Sequence, residues 1–157
     1  MEDTMKLTKK ELGVAKDSIE ELFEKVGISG GISLTTGDEG LDVVLETEDS
    51  GIVIGYHGEI LESLQLLTSL LVAKKLGRFV RISLEVGDYK KNRVEYLERL
   101  ASQTKERVLS ENRSHTLSSL KSWERRVVHL LFQDDKEVTS ESTGEGKDRV
   151  LVVSPRS

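Results

Sequence analysis

Two short stretches hold residue types whose spacing can do chemistry. The first is Gly55-Tyr56-His57-Gly58, set between a short apolar run at 50–54 and a leucine-rich segment at 59–76. Glycine tolerates positive φ and lets another backbone come close. Gly58 opens the segment that follows, and the free N–H groups and positive dipole end of a helix start favour an anion. A Gly-x-x-Gly turn at a helix start beside a sheet therefore suits a phosphodiester backbone. The same two glycines also suit a tight helix–helix turn that needs them for packing alone. Tyr56 and His57 are not the fixed cations that a phosphate clamp would favour, and Glu59 competes for the same dipole end. Tyr56 is shaped to stack on a base or sugar, and His57 to donate to a phosphate. The second stretch is "KSWERRVVHLLFQD" at 121–134. Arg125 and His129 are four apart and so share a helix face. On a helical wheel Arg125, Arg126, His129 and Gln133 lie opposite Trp123, Val127, Val128, Leu130 and Leu131. That puts His129 on the polar side, as a surface residue or a site residue and not a core histidine.

Residues 9–26 position the first of these stretches. Leu12, Ala15, Ile19, Leu22, Phe23 and Val26 recur at spacings of three and four, so a helix is expected, with Thr8 and Glu11 as a capping box and Gly27 as its end. A strand is expected at 31–36, with Ile32 and Leu34 on one face. "GDEG" at 37–40 signals a hairpin, and 41–47 alternates as its second strand. A short helix at 50–54, the glycine break, a helix at 59–76 closed by Gly77, and an alternating strand at 79–86 follow. The second stretch sits in another unit. Residues 89–111 predict a long charged helix with Val94, Leu97, Leu100, Ala101, Thr104 and Val108 inward. "SENRSHTLSS" reads as a connector and 121–134 as a helix with Trp123 as a core anchor. "TSESTGEG" at 139–146 reads as a polar loop, and "RVLVVS" at 149–154 as a strand that Pro155 ends. The boundary falls near Gly87–Asp88, giving domains at 1–88 and 89–157.

Composition narrows the function classes. The chain has 157 residues, 36% hydrophobic and 32% charged, which is the profile of a globular protein of one ordinary or two small domains. It contains no cysteine, which removes disulfides, thiolate metal sites and a cysteine nucleophile. The start lacks the apolar core of a signal peptide, and the longest apolar stretch, within 60–73, is interrupted by Glu62, Gln65, Thr68 and Ser69. The expectation is a cytoplasmic protein without membrane insertion. Net charge is −5, yet residues 74–126 hold 14 basic and 7 acidic residues, which suggests a local basic face on an acidic chain. His57, His115 and His129 stand at unrelated positions, and no metal-ligand spacing, P-loop or nucleophile elbow is present. Asp134 and Asp135 are explained by helix-end chemistry. No catalytic residue, metal or cofactor is expected. A nucleic-acid binder and a non-catalytic protein-interaction scaffold remain.

"SGIVIGYHGEILESLQLLTSLLVAKKLG", preceded by helix-strand-strand and followed by a strand, resembles the KH domain in its type II arrangement. "WERRVVHLLFQDDKEVTSESTGEGKDRVLVVSP" resembles the R-3-H domain, named for an arginine and a histidine separated by three residues, here Arg125 and His129. KH followed by R-3-H is the order of the bacterial Jag/KhpB family of RNA-binding proteins, and the two similarities cover about residues 9–155. The resemblance implies an α+β fold: a type II KH domain, with a three-stranded sheet and helices on one face, then a small α+β R-3-H domain. It implies single-stranded RNA clamped at Gly55, Tyr56, His57 and Gly58 with Ile54 in an apolar floor. It also implies phosphate capture by Arg125, Arg126 and His129. Arg125 offers a planar fork of donors suited to phosphate, His129 adds a donor one turn away, and Ser140, Ser142 and the backbone near Gly144 add neutral ones. The implied role is post-transcriptional regulation or RNA chaperoning, and the implied protein partner is another KH subunit, in a homodimer or a heterodimer. The family often carries an additional N-terminal domain. This chain starts almost directly on the KH helix, so functions tied to that domain are not expected of it.

Overall fold

Thr8 Oγ1 accepts from the Glu11 amide at 3.2 Å and the Glu11 carboxylate accepts from the Thr8 amide at 2.9 Å. This reciprocal capping box starts α1 (Lys9–Lys25), the first element of a computed structural model that describes residues 6–37 and 40–157. Strands β1 (Gly31–Gly37) and β2 (Gly40–Glu46) pair antiparallel, Ile32 with Leu45 and Leu34 with Val43. Asp38 and Glu39 of the "GDEG" signal lie outside the described residues. The chain then forms α2 (Ser50–Ile54), a single 3₁₀ turn (Tyr56–Gly58) and α3 (Glu59–Leu76). It returns as β3 (Ile82–Val86), parallel to β2. A parallel return needs a crossover, and α2 and α3 supply it. The sheet order is β1-β2-β3.

Period-two burial sets the register. Leu41, Val43 and Leu45 of β2 and Ile82, Leu84 and Val86 of β3 are all buried, in one cluster with Ala15, Ile19 and Phe23 of α1 and Leu61, Leu64 and Val72 of α3. This is the three-stranded sheet with helices on one face expected of a type II KH fold. The third strand is shorter than its alternation suggests: Val80 is buried but Phe79 is 78% exposed, and pairing begins where the Leu41 amide donates to the Arg81 carbonyl. On the open edge of β3 the Leu84 amide donates to Gln65 Oε1 at 3.0 Å, so a side chain of α3 satisfies a ladder group that has no strand beside it.

The chain divides into two units after Tyr89. Helix α4 (Tyr89–Glu111) buries Leu97, Ala101, Thr104 and Val108, while Val94 and Leu100 are only partly covered. The second sheet has the order β4-β6-β5, antiparallel throughout, from β4 (His115–Leu117), β5 (Val138–Thr143) and β6 (Val150–Pro155). Two segments expected to be irregular are therefore partly strand: 115–117 within the "SENRSHTLSS" connector, and most of the "TSESTGEG" loop. Their sequences lack the apolar alternation that marks a half-buried strand, and the central β6 supplies their pairing. Helix α5 (Ser122–Phe132) also differs from its wheel. It buries Glu124, Val128 and Phe132, whereas Leu130 and Leu131 are 54% and 44% exposed. Glu124 is held inside by Arg93, whose Nε lies 2.6 Å from Oε1, and Oε2 accepts from the Lys121 amide at 2.9 Å. Trp123 packs against the second core as expected. No helix among the described residues is long and apolar enough to cross a membrane.

Candidate nucleic-acid interface

In the first unit the glycine break is built by conformation and contact together. Gly55 has φ 70°, and a Cβ there would come within 2.6 Å of Ile60 Cγ1. Gly58 has φ 77°, and its Cβ would come within 2.9 Å of the Tyr89 hydroxyl. Both glycines are required by the packing of the loop itself, independent of any ligand. Between them His57 adopts the left-handed conformation, φ 50° and ψ 30°, which directs its ring onto that of Tyr56. The rings stack with centroids 4.1 Å apart and planes 12° apart. Tyr56 is three-quarters exposed, so the pair forms an outward aromatic platform at the start of α3. Ile54 is partly buried against the core, and the apolar side chains most open near the loop are Ile52 and Ile60. The first turn of α3 carries Glu59 and Glu62 and no cation. The local charge is therefore suited to a stacked base more than to a row of phosphates.

The second unit brings its polar groups together differently. An open depression is lined by Ser122, Arg125, Arg126 and His129 of α5, by Ser140, Glu141 and Ser142 of β5, and by Arg149 and Leu151 at the start of β6. All five second-unit residues expected from the sequence line this one depression. His129 Nδ1 lies 2.8 Å from Ser140 Oγ. With the serine donating to Nδ1, the neutral ring carries its N–H on Nε2 as a donor for a ligand, and a protonated ring donates from both nitrogens. Ser140 is almost fully buried, so it orients the imidazole and is not itself an open donor. Arg125 uses its fork at home: Nη1 donates to the Leu120 carbonyl at 2.7 Å and Nη2 to Ser122 Oγ at 3.1 Å. Arg126 is exposed at the rim.

Arg149 was not singled out by the sequence reading. Its Nε donates to Ser142 Oγ at 3.0 Å, and it sits one residue before Val150, which pairs with Thr143. The signal that would find it is the hairpin register, invisible while 139–146 reads as a loop. Three arginines and a histidine thus face one exposed carboxylate, Glu141, and this can hold a phosphate by charge-assisted hydrogen bonds. Among the described residues no group of three or more His, Asp or Glu side chains is arranged to hold a metal ion.

Comparison with known proteins matches each unit. A family model described as the KhpA/KhpB KH domain matches residues 16–86, and the R-3-H domain model matches residues 95–155. The chain is similar to the RNA-binding protein KhpB of Clostridium symbiosum, with 34% identity over 142 residues, covering 89% of this chain and 64% of that protein. It is 29% identical over 135 residues to the RNA-binding protein KhpB of Streptococcus pneumoniae serotype 2, covering 86% of this chain and 41% of that protein. With the Bacillus subtilis protein of the same name, identity is 25% over 142 residues, covering 89% of this chain and 68% of that protein. The chain spans less than two thirds of the length of the first two of these relatives.

Proposed function

We propose that this chain, which belongs to the KhpB family of paired KH and R-3-H domains, is an RNA-binding protein that takes single-stranded RNA through both units. The observation that carries the reading is the convergence of Arg125, Arg126, Arg149 and His129 on one open depression. A phosphate of the RNA backbone is held there, with Ser142 as a neutral donor and Ser140 orienting His129. In the KH unit, residues 1–88, the chain passes Gly55 and Gly58, and a base stacks on Tyr56 and His57, with Ile54 behind them and Ile52 and Ile60 outward. Such contacts to phosphate and to base faces are largely sequence-tolerant, so affinity is mainly electrostatic. This suits a post-transcriptional regulator or RNA chaperone without catalytic activity, working in the cytoplasm with RNA and another KH subunit as partners.

Fluorescence anisotropy with a short single-stranded RNA, across a salt series, tests the reading. Arg126→Ala is expected to weaken binding about equally for different sequences and to reduce the salt slope by roughly 0.7, one phosphate's share for a single strand. His129→Ala is expected to cost more affinity at pH 6 than at pH 8, because the protonated imidazole is the better partner for an anion. Replacing Tyr56 and His57 together by aspartate should weaken binding with little change in melting temperature. If Arg126→Ala left both affinity and slope intact in a folded protein, the depression would not be the phosphate site, and the protein-interaction scaffold, favoured by the acidic first half of the chain, would take its place.

A further inference from the structure

Helix α3 buries Leu61, Leu64, Thr68 and Val72 on the sheet side. Its opposite side is apolar as well: Ile60, Leu66, Leu67 and Leu70 are 46%, 61%, 48% and 59% exposed. A surface helix normally turns polar residues outward, and scattered single leucines need no explanation, but four aliphatic side chains within three turns form one stripe. The ends of the helix say what would cover it. Acidic Glu59 stands in the first turn and basic Lys74 in the last turn. They lie equally far from the point between Leu66 and Leu67, about 22 Å apart along an axis rising 1.5 Å per residue. The pattern is therefore its own complement when reversed.

We infer that the outward face of α3 pairs antiparallel with α3 of a second copy of this chain. A two-fold axis between Leu66 and Leu67 sets Leu66 of one copy against Leu67 of the other, and Ser63 against Leu70. It sets Glu59 opposite Lys74 twice, once on each side of the axis, as an isologous interface requires. A parallel arrangement would set like charges against each other at both ends. The pairing gives the KH-partner reading above a defined surface and a defined mate, and it makes no use of RNA.

Sedimentation velocity on the RNA-free protein at low ionic strength, between about 1 and 100 µM, tests it. The mass is expected to rise from 17.5 kDa towards twice that value with concentration. Leu67→Glu places two carboxylates beside the axis and should keep the chain monomeric throughout, with unchanged circular dichroism and unchanged RNA affinity. Leu70→Lys, at another exposed position, should do the same. Lys74→Glu alone should weaken the dimer about tenfold at low salt, and adding Glu59→Lys should restore it. A wild-type chain that stays monomeric, a Leu67→Glu chain that dimerises as wild type does, or a charge reversal that fails to restore pairing would each overturn the inference. In all three cases an intact RNA affinity would leave the RNA reading standing.

Discussion

Arg125 Nη1 lies 2.7 Å from the Leu120 carbonyl, so one guanidinium both lines the depression and ties down the entry of α5. The two roles separate by substitution. Arg125→Ala loses a charge-assisted hydrogen bond to a backbone carbonyl and should lower stability by about 1–3 kcal/mol as well as weakening RNA binding. Arg125→Lys keeps the charge but not the planar fork, so it should destabilise while leaving the salt slope of RNA binding near the wild-type value. Thermal melts paired with salt-dependent anisotropy check this. Equal melting temperatures for all three proteins would show that the Leu120 contact contributes nothing. The same residue-level economy explains His57. Its left-handed backbone is uncommon outside glycine, and here it stacks the ring on Tyr56 and not outward alone.

At the scale of elements, α4 and α5 are joined by an ion pair and not by aliphatic contact alone. Glu124 is fully buried, its partner Arg93 is nearly so, and the Arg93 guanidinium also lies over the Tyr96 ring at 4.6 Å. Removing one member of a buried pair leaves the other charged and uncompensated. Glu124→Ala should therefore cost about 3–5 kcal/mol, a large part of the stability of so small a unit. Urea unfolding followed by circular dichroism should show a lower midpoint at an unchanged slope. A loss under about 1 kcal/mol would mean that water or a neighbouring group replaces the carboxylate. This pair also decides which way α5 faces. With Glu124 inward, the polar residues one turn on, Arg125 and His129, meet β5, and Leu130 and Leu131 are left outward.

For the whole molecule, the ion pairs that link distant segments set the response to acid. The Arg78 guanidinium, with the Thr8 amide, holds the Glu11 carboxyl down at about 2 from an ordinary value of 4.5. The Lys105 ammonium and the Glu137 amide hold Asp135 at about 2 from 3.8. Both are depressed in the folded state. The stability they contribute is complete above the ordinary carboxylate values and is lost as pH falls from there towards 2. One pair lies in each unit, so each should act on its own transition. Glu11→Gln should flatten the acid loss of the first unit between about pH 4.5 and 2, and Asp135→Asn should do so for the second. Calorimetric scans across that range measure it, and identical acid profiles for wild type and Glu11→Gln would refute the assignment. High salt should reduce both effects, since the groups are reached by solvent.

Local sequence determined the elements of the KH unit and half of the R-3-H site. Periods of 3.6 and 2 marked α1, β1, β2, α3 and β3, and the capping box of Thr8 and Glu11 is a short-range bond that any helix start of this sequence forms. Arg125 and His129 share a face because they are one turn apart, which needs nothing beyond α5. Tertiary structure decided the rest. Ser140 and Ser142 lie on a strand because β6 pairs with them, although "SEST" alone carries no alternation of apolar residues. Arg149 reaches the depression through that same hairpin register. Glu124 turns inward because Arg93, 31 residues away, compensates its charge. The leucines on both sides of α3 look alike in sequence, and only the sheet decides which of them are covered. Periodicity records what a segment can bury, whereas the partner that buries it comes from elsewhere in the chain, or from a second copy of it.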